Sequence, residues 1–254
     1  PRSTLFPYTT LFRSEGRKVC IIDTGYFSGH EDLPILSDED GYSQTNDDEE
    51  LWKYDGYGHG THVAGTIAAL NNDYGVVGVT PGTVSLYIVK IFGDDGAWVS
   101  IAHASDLVAA AYECADNGAN VISMSLSGTQ KTGKEENAFN QLYEHGILSV
   151  AAASNDGAPD YHYPASYDSV ISVGALDENM LIADFSQFND QVELAAPGVG
   201  VLSTTPNKLE AKVEVDESTF YGLPLEYSPL GSETGQLVAG GLCQAADPIQ
   251  DWTG

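Results

Sequence analysis

Short apolar runs recur along this chain, separated by turn residues. Residues 18–23, KVCIID, form one run that ends in a carboxylate before Thr24 and Gly25. Others occupy 84–92 (VSLYIVKIF), 119–126 (ANVISMSL), 147–153 (ILSVAAA) and 170–176 (VISVGAL), and each predicts a buried strand. Between them the period changes. Ile101, Ala104, Val108, Ala111 and Ala115 recur at helical spacing, and Gly118 suits the C-cap. Residues 134–145 predict a second helix, closed by Gly146. Residues 59–70, HGTHVAGTIAAL, predict a helix of another kind, because Gly60, Ala64 and Gly65 present almost no side chain. Glycine is unfavourable inside a helix, so this run implies close packing or chemistry. Strands alternating with helices predict an α/β fold, a mostly parallel sheet with helices on both faces.

The remaining segments set the domain limits. Residues 37–50, SDEDGYSQTNDDEE, lack the spacing of an EF-hand loop and read as a solvated surface loop. Residues 71–75 form a turn-rich loop. After Pro206 the pattern shifts: 207–254 are polar, with scattered Val and Leu and no helical period. They read as the start of a second, β-rich unit cut short at Gly254, which leaves 15–206 as the main domain. Residues 4–14, TLFPYTTLFRS, resemble the translation of a sequencing adapter and lack a signal peptide's long apolar core. Residues 1–14 are therefore set aside. The true N-terminus, with any signal and pro-segment, is expected to be missing.

Charge narrows the partners. Acidic residues number 37 against 10 basic, for a net charge of −27. Phosphate binding needs clustered Lys and Arg, so no nucleic-acid partner is expected. The balance fits the self-repelling surface of an extracellular or salt-tolerant protein. No apolar run is long enough to span a bilayer, so no membrane partner is expected either. The three cysteines make no disulfide framework. Cys20 and Cys114 lie in apolar patterns and read as buried thiols, while Cys243 reads as having lost its partner.

In an open parallel sheet, ligands sit outside the carboxyl ends of the strands. Asp23, Ser125 and Asn155 all fall at such ends, and His59 opens a helix on that side. Alone, His59 is open to three readings: general base, metal ligand or satisfied core residue. Asp23-Thr24-Gly25 also occurs in aspartic proteases, which need a second carboxylate to share the proton. The helix–strand alternation and HGTHVAG argue against that reading. A zinc site on His59 and His62 would need further ligands, and His62 reads as packed behind the first histidine.

Three motifs stand together: DTG at 23–25, HGTHVAG at 59–65 and AAASNDG around Asn155. In combination they resemble the subtilisin-like serine proteases, the subtilases, over roughly residues 18–206. The resemblance implies that His59 is the base and Asp23 the buried acid that orients it, in the order Asp, His, Ser. It implies that Asn155 donates to the oxyanion. Ser125, Leu126 and Ser127 match the edge that pairs with an extended substrate, and Gly96, Ala97 and Trp98 match the opposing strand. His162 falls near the base of the family's S1 pocket, which it would narrow. Asp32 and the loop of Leu70, Asn72, Tyr74 and Val76 match a calcium site. That site is expected to be weakened, because a further ligand comes from the N-terminal segment that the adapter replaces.

One part is absent. The family's nucleophile lies in a Gly-Thr-Ser-Met-Ala-like motif; no Gly-Thr-Ser occurs here, and Gly231-Ser232-Glu233 does not match it. Some subtilases carry a protease-associated domain between the oxyanion Asn and the nucleophile, and 207–254 resemble the start of one. The resemblance thus implies a secreted serine endopeptidase acting on proteins or peptides, present as a fragment with its nucleophile downstream of Gly254. The alternative is a non-catalytic subtilase-like protein that binds peptide or calcium.

Overall fold

The computed structural model describes residues 16–45, 49–73, 75–97 and 103–206, together with the backbone of 211–215 and 218–222. At the centre is β1 (Arg17–Asp23), flanked in parallel by β3 (Val84–Lys90) and β4 (Val121–Met124). A short β2 (Gly41–Ser43) closes one edge beside β3. On the other side β5 (Leu148–Ala152), β6 (Val170–Leu176) and β7 (Val192–Pro197) follow β4 in order. All six pairings are parallel. The strand order β2-β3-β1-β4-β5-β6-β7 reverses at β1. A crevice therefore opens at the carboxyl end of β1, where such sheets hold their ligands.

Among the described residues, three helices cover the sheet: α1 (His59–Ala68), α2 (His103–Asp116) and α3 (Gly133–Glu144). The continuous apolar run of β1 is explained by burial on both faces. Cys20 and Ile22 pack with Leu107 and Ala111 of α2 and Phe139 of α3. Ile21, between them, packs with Ala64 and Ala68 of α1 and with Trp52. Side chains of a strand alternate between faces, so a strand lying between two helical layers has no polar face to show.

A separate compact unit spans residues 209–254. Its described part is an antiparallel hairpin, β8 (Ala211–Val215) with β9 (Ser218–Gly222). The segment 1–14 and the rest of 207–254, including Cys243, lie outside the described residues.

Two expectations are corrected. Cys20 and Cys114 are not separate thiols but a disulfide, with Cα atoms 5.6 Å apart. Packing α2 on β1 sets that distance, within the usual span of a bridge, and spacing along the chain does not reveal it. Residues 37–50 are not simply a solvated loop. Gly41–Ser43 pair with Ile88–Lys90, and a 3-10 turn at Glu49–Lys53 buries Trp52. A Cβ on Gly41 would lie 2.4 Å from the Trp52 ring, which is why glycine stands there. At the sheet edge, β7 is mostly exposed and its residues carry no alternating apolar signal. Exposed Ile182, Phe188, Leu194 and Leu202 lie in and around this last part of the sheet.

Candidate active site

Asp23 ends β1 and is 1% exposed. Its Oδ1 accepts from the Thr24 N–H at 2.7 Å and lies 2.7 Å from His59 Nδ1. This geometry orients the ring, with Nδ1 toward the acid and Nε2 away from it. His59 begins α1 and stays half-exposed. Gly60 explains the closeness of helix and strand. A Cβ there would meet the Gly25 carbonyl oxygen at 2.2 Å and the Asp23 Cβ at 3.2 Å. Gly65 serves the opposite side of the helix, where a Cβ would strike Thr204 Oγ1 at 2.2 Å. The small-residue run is thus a helix pressed between two segments. His62 lies behind His59, with Nε2 3.3 Å from the Val201 carbonyl oxygen.

A second carboxylate, which sequence reasoning missed, holds the start of α1. Asp55 is 1% exposed. Its Oδ1 accepts from Thr24 Oγ1 at 2.8 Å and from the Gly58 N–H at 2.7 Å. Its Oδ2 accepts from the Thr61 N–H at 2.9 Å and from Thr61 Oγ1 at 2.6 Å. Thr24 Oγ1 in turn accepts from the Gly60 N–H at 2.8 Å. The N-cap of α1 is Gly58, which has no side chain to cap with, so Asp55 takes that duty from three residues upstream. The only sequence signal was an acid four residues before His59. Lys90, buried at the end of β3, donates from Nζ to the Thr24 carbonyl and to Asp94 Oδ1, tying two strand ends together.

Electrostatics follow from these contacts. The hydrogen bond to Asp23 raises the His59 pKa above the ordinary imidazole value. Desolvation opposes the shift, while the charges of Asp23 and Asp55 reinforce it. Burial pushes the Asp55 carboxyl up, but the hydrogen bonds from Thr61, Gly58 and Thr24 outweigh burial and hold it below its ordinary value.

His59 opens on a cavity of about 260 Å³ that is also lined by Asp23, Tyr57, Phe92, Gly96 and Ser125–Ser127. Ser125 follows β4 directly. Among the described residues, no backbone hydrogen bond outside the strand ladders joins 125–127 to another segment. The edge thus has free donors and acceptors beside the imidazole. Gly96 and Ala97 need correction: they form a turn rather than a strand, with the Gly93 N–H donating to Ala97 O and the Gly96 N–H to Gly93 O. Glycine is required at 96, where φ is +77° and a Cβ would meet the Tyr57 ring. Trp98 lies outside the described residues.

Asn155 stands three residues beyond β5 and is exposed. Its turn is tightly held: Gln187 Oε1 accepts from the Asp156 and Ala158 N–H groups at 3.0 and 3.1 Å. Ser154 carries a φ of +95°, unusual for a residue with a side chain. Among the described residues, no side chain takes up the Asn155 amide. His162 is not part of the cavity lining around His59. It is buried, with Nε2 2.9 Å from Asp156 Oδ2, in the same turn as Asn155. Its Nδ1 is buried without a hydrogen-bond partner.

Asp32, 1% exposed, gathers the 70–76 loop. Its carbonyl accepts from the Leu70 N–H at 2.9 Å. Its Oδ1 accepts from Asn72 Nδ2 at 2.9 Å and its Oδ2 from the Val76 N–H at 2.8 Å. Neutral N–H donors, rather than oxygen ligands, surround this buried carboxylate. Tyr74 lies outside the described residues, and among those described no three His, Cys, Asp or Glu side chains converge on a metal position.

Fold and site together define an α/β enzyme scaffold in which a buried acid orients an imidazole beside an open peptide edge. The comparisons with known proteins give the family. Residues 14–221 match the profile of the subtilase family. Subtilisin DY of Bacillus licheniformis is 42% identical over 200 residues, 77% of this chain and 69% of that protein. Alkaline elastase YaB of Bacillus sp. (strain YaB) is 42% identical over 195 residues, 77% of this chain and 49% of that protein. Among solved structures, the psychrophilic subtilisin-like protease Apa1 from Pseudoalteromonas sp. AS-11 matches with a TM-score of 0.70 and 41% identity, over 84% of this chain and 49% of that one. The chain therefore belongs to the subtilase family and is by family a subtilisin-like serine endopeptidase. It spans between about half and about 70% of the length of these relatives.

Proposed function

We propose that these residues form the acid–base, oxyanion and substrate-edge portion of a secreted serine endopeptidase whose nucleophile lies outside the 254 residues. The observation that carries the reading is the 2.7 Å pairing of His59 Nδ1 with Asp23 Oδ1 beside an unpaired edge. In this reading His59 Nε2 takes the proton of the serine hydroxyl as its oxygen attacks the scissile carbonyl. Asp23 stabilises the imidazolium, which then returns the proton to the leaving amine. The side-chain amide of Asn155 donates to the tetrahedral oxyanion. Residues 125–127 pair with the substrate backbone as an added strand, and Gly96, Ala97 and Trp98 bound its other side. His162, through Asp156, narrows the pocket for the side chain before the scissile bond.

The same reading takes 207–254 as the start of an inserted, β-rich domain, in keeping with the β8–β9 hairpin. The Cys20–Cys114 bridge and the net charge of −27 support an oxidising, extracellular setting. It also includes a weakened calcium site, with Asp32 as the charged ligand, Asn72 as a second side-chain oxygen, and the carbonyls of Leu70, Tyr74 and Val76. Calcium should raise the melting temperature of the intact protein, and Asp32→Ala should abolish that rise. A rise unchanged in the variant places the ion elsewhere.

The intact protein should hydrolyse a chromogenic peptide and be labelled covalently by a serine-directed inhibitor, and His59→Ala should abolish both. An intact, folded protein that binds peptide but shows neither behaviour supports the non-catalytic reading instead.

A further inference from the structure

We propose that His162 is a positioning residue for Asn155: through Asp156 it fixes the turn that carries the Asn155 amide. The proposal rests on the endopeptidase reading, in which that amide donates to the oxyanion. Asn155 is exposed, and among the described residues no side chain takes up its amide. Its aim is therefore set by its neighbours, Ser154 and Asp156. Ser154 has a φ of +95°, a backbone conformation that persists only where the surroundings hold it. An oxyanion donor works by being preorganised toward the developing charge, so whatever holds these two residues bears on turnover.

One carboxylate oxygen joins both sides of the turn. Asp156 Oδ2 lies 2.9 Å from His162 Nε2 and accepts from Ser154 Oγ at 3.5 Å. A serine has a single hydroxyl proton, so the Ser127 hydroxyl, 3.1 Å from Ser154 Oγ, donates to it. A carboxylate only accepts, so His162 Nε2 carries the proton of the other bond. The series Ser127, Ser154, Asp156, His162 thus runs from the substrate edge, past Asn155, to a buried ring.

That ring is the fixed end of the series. His162 is buried, whereas Asp156 is exposed. Tyr163, the next residue, exchanges backbone hydrogen bonds of 2.8 Å with Gly128 in both directions, and the Ser166 N–H donates to the His162 carbonyl at 2.8 Å. The backbone around the ring is therefore tied to the end of the substrate edge. Its Nδ1 is buried with no hydrogen-bond partner, so Asp156 is the one polar tie of the side chain among the described residues. A buried polar atom left unmet is a cost, and the fold bears it while aiming Nε2 at an acid that would otherwise sample solvent. Gln187 holds the turn by its backbone, at the Asp156 and Ala158 N–H groups, and leaves the Asp156 carboxylate to His162 and Ser154.

The test uses the intact protein and a chromogenic peptide with alanine before the scissile bond, so that pocket depth does not enter. His162→Leu should lower kcat about tenfold with KM unchanged, as for an interaction made only in the transition state. That fall lies within the roughly 10²–10³ that a lost oxyanion donor costs. His162→Gln, which keeps a donor of similar reach, should recover most of it, and Asp156→Ala, at an exposed position, should repeat it even if His162→Leu fails to fold. In an Asn155→Ala background His162→Leu should have no further effect. Where Asn155→Ala itself lowers kcat, an equal loss in both backgrounds, or a change in KM alone, overturns the inference. NMR tests the positioning without turnover, on the Asn155 side-chain amide assigned by its loss in Asn155→Ala. Its order parameter should fall in His162→Leu and in Asp156→Ala and return in His162→Gln. An unchanged order parameter overturns the inference. A fall in a protein whose kcat is indifferent to Asn155→Ala overturns the oxyanion role and leaves the positioning standing.

Discussion

Asp23 shifts the titration of His59, and the shift has two consequences of opposite sign. An imidazole whose folded pKa lies above its unfolded value adds stability that is full below about 6.5 and is lost as pH rises through the raised pKa. In the proposed reading His59 is a general base, which works only when neutral, so activity of the intact protein should appear on that same rise. Asp23→Asn removes the charge and weakens the hydrogen bond while leaving the desolvation in place. The His59 pKa should therefore fall below its wild-type value, read from the imidazole proton shifts by NMR; an unchanged titration would show that Asp23 does not set it. Asp55 acts one step back. It accepts four hydrogen bonds around the start of α1, two of them from backbone N–H groups. Asp55→Ala should cost about 3 kcal/mol in urea unfolding, with a smaller fall in the His59 pKa than Asp23→Asn produces.

Elements meet here through their smallest residues. Gly60 lets α1 touch the end of β1, and Gly65 lets residues 203–204 lie across its back, with Thr204 Oγ1 donating to the Thr61 carbonyl at 2.8 Å. The composition of 59–70 announced such contacts, but not which segments make them. The bridge between β1 and α2 shows the limit most plainly. Cys20 and Cys114 are 94 positions apart, and only the docking of α2 on the sheet brings them together. Closing a loop of that length restricts the unfolded chain strongly. Paired Cys20→Ser and Cys114→Ser changes should lower stability by about 4 kcal/mol, measured by urea unfolding of the intact protein. Equal stability with and without the bridge would mean that the apolar contacts of α2 carry the docking alone.

At the scale of the whole molecule, charge is the dominant unbalanced quantity. With −27 distributed over 254 residues, the folded surface repels itself. Moving from about 0.01 M to 1 M sodium chloride shortens the screening length from roughly 30 Å to 3 Å. The melting temperature should rise over that range, even in a chelating buffer that removes calcium. A falling melting temperature would show that attractive ion pairs outweigh the repulsion. No described helix is long and apolar enough to cross a membrane.

Residue order by itself determined the alternation of strand and helix, because apolar period and turn chemistry are local properties of the chain. It also placed Asp23, Ser125 and Asn155 at or just beyond the carboxyl ends of apolar strands, where the structure has them. Motif spelling was enough to carry the family resemblance. Tertiary structure alone decided the rest. The pairing of β2 depends on Trp52 filling the space over Gly41, and β7 carries no apolar stripe because its edge position demands none. Asp55 became a cap only once Gly58 stood at the helix start without a side chain. The N–H of Thr132, the N-cap of α3, goes to Tyr167 Oη, 35 positions away, and Tyr167 in turn donates to Glu135. Hydrogen bonds and disulfides between distant residues form where packing places their partners, and packing is settled by the whole chain at once.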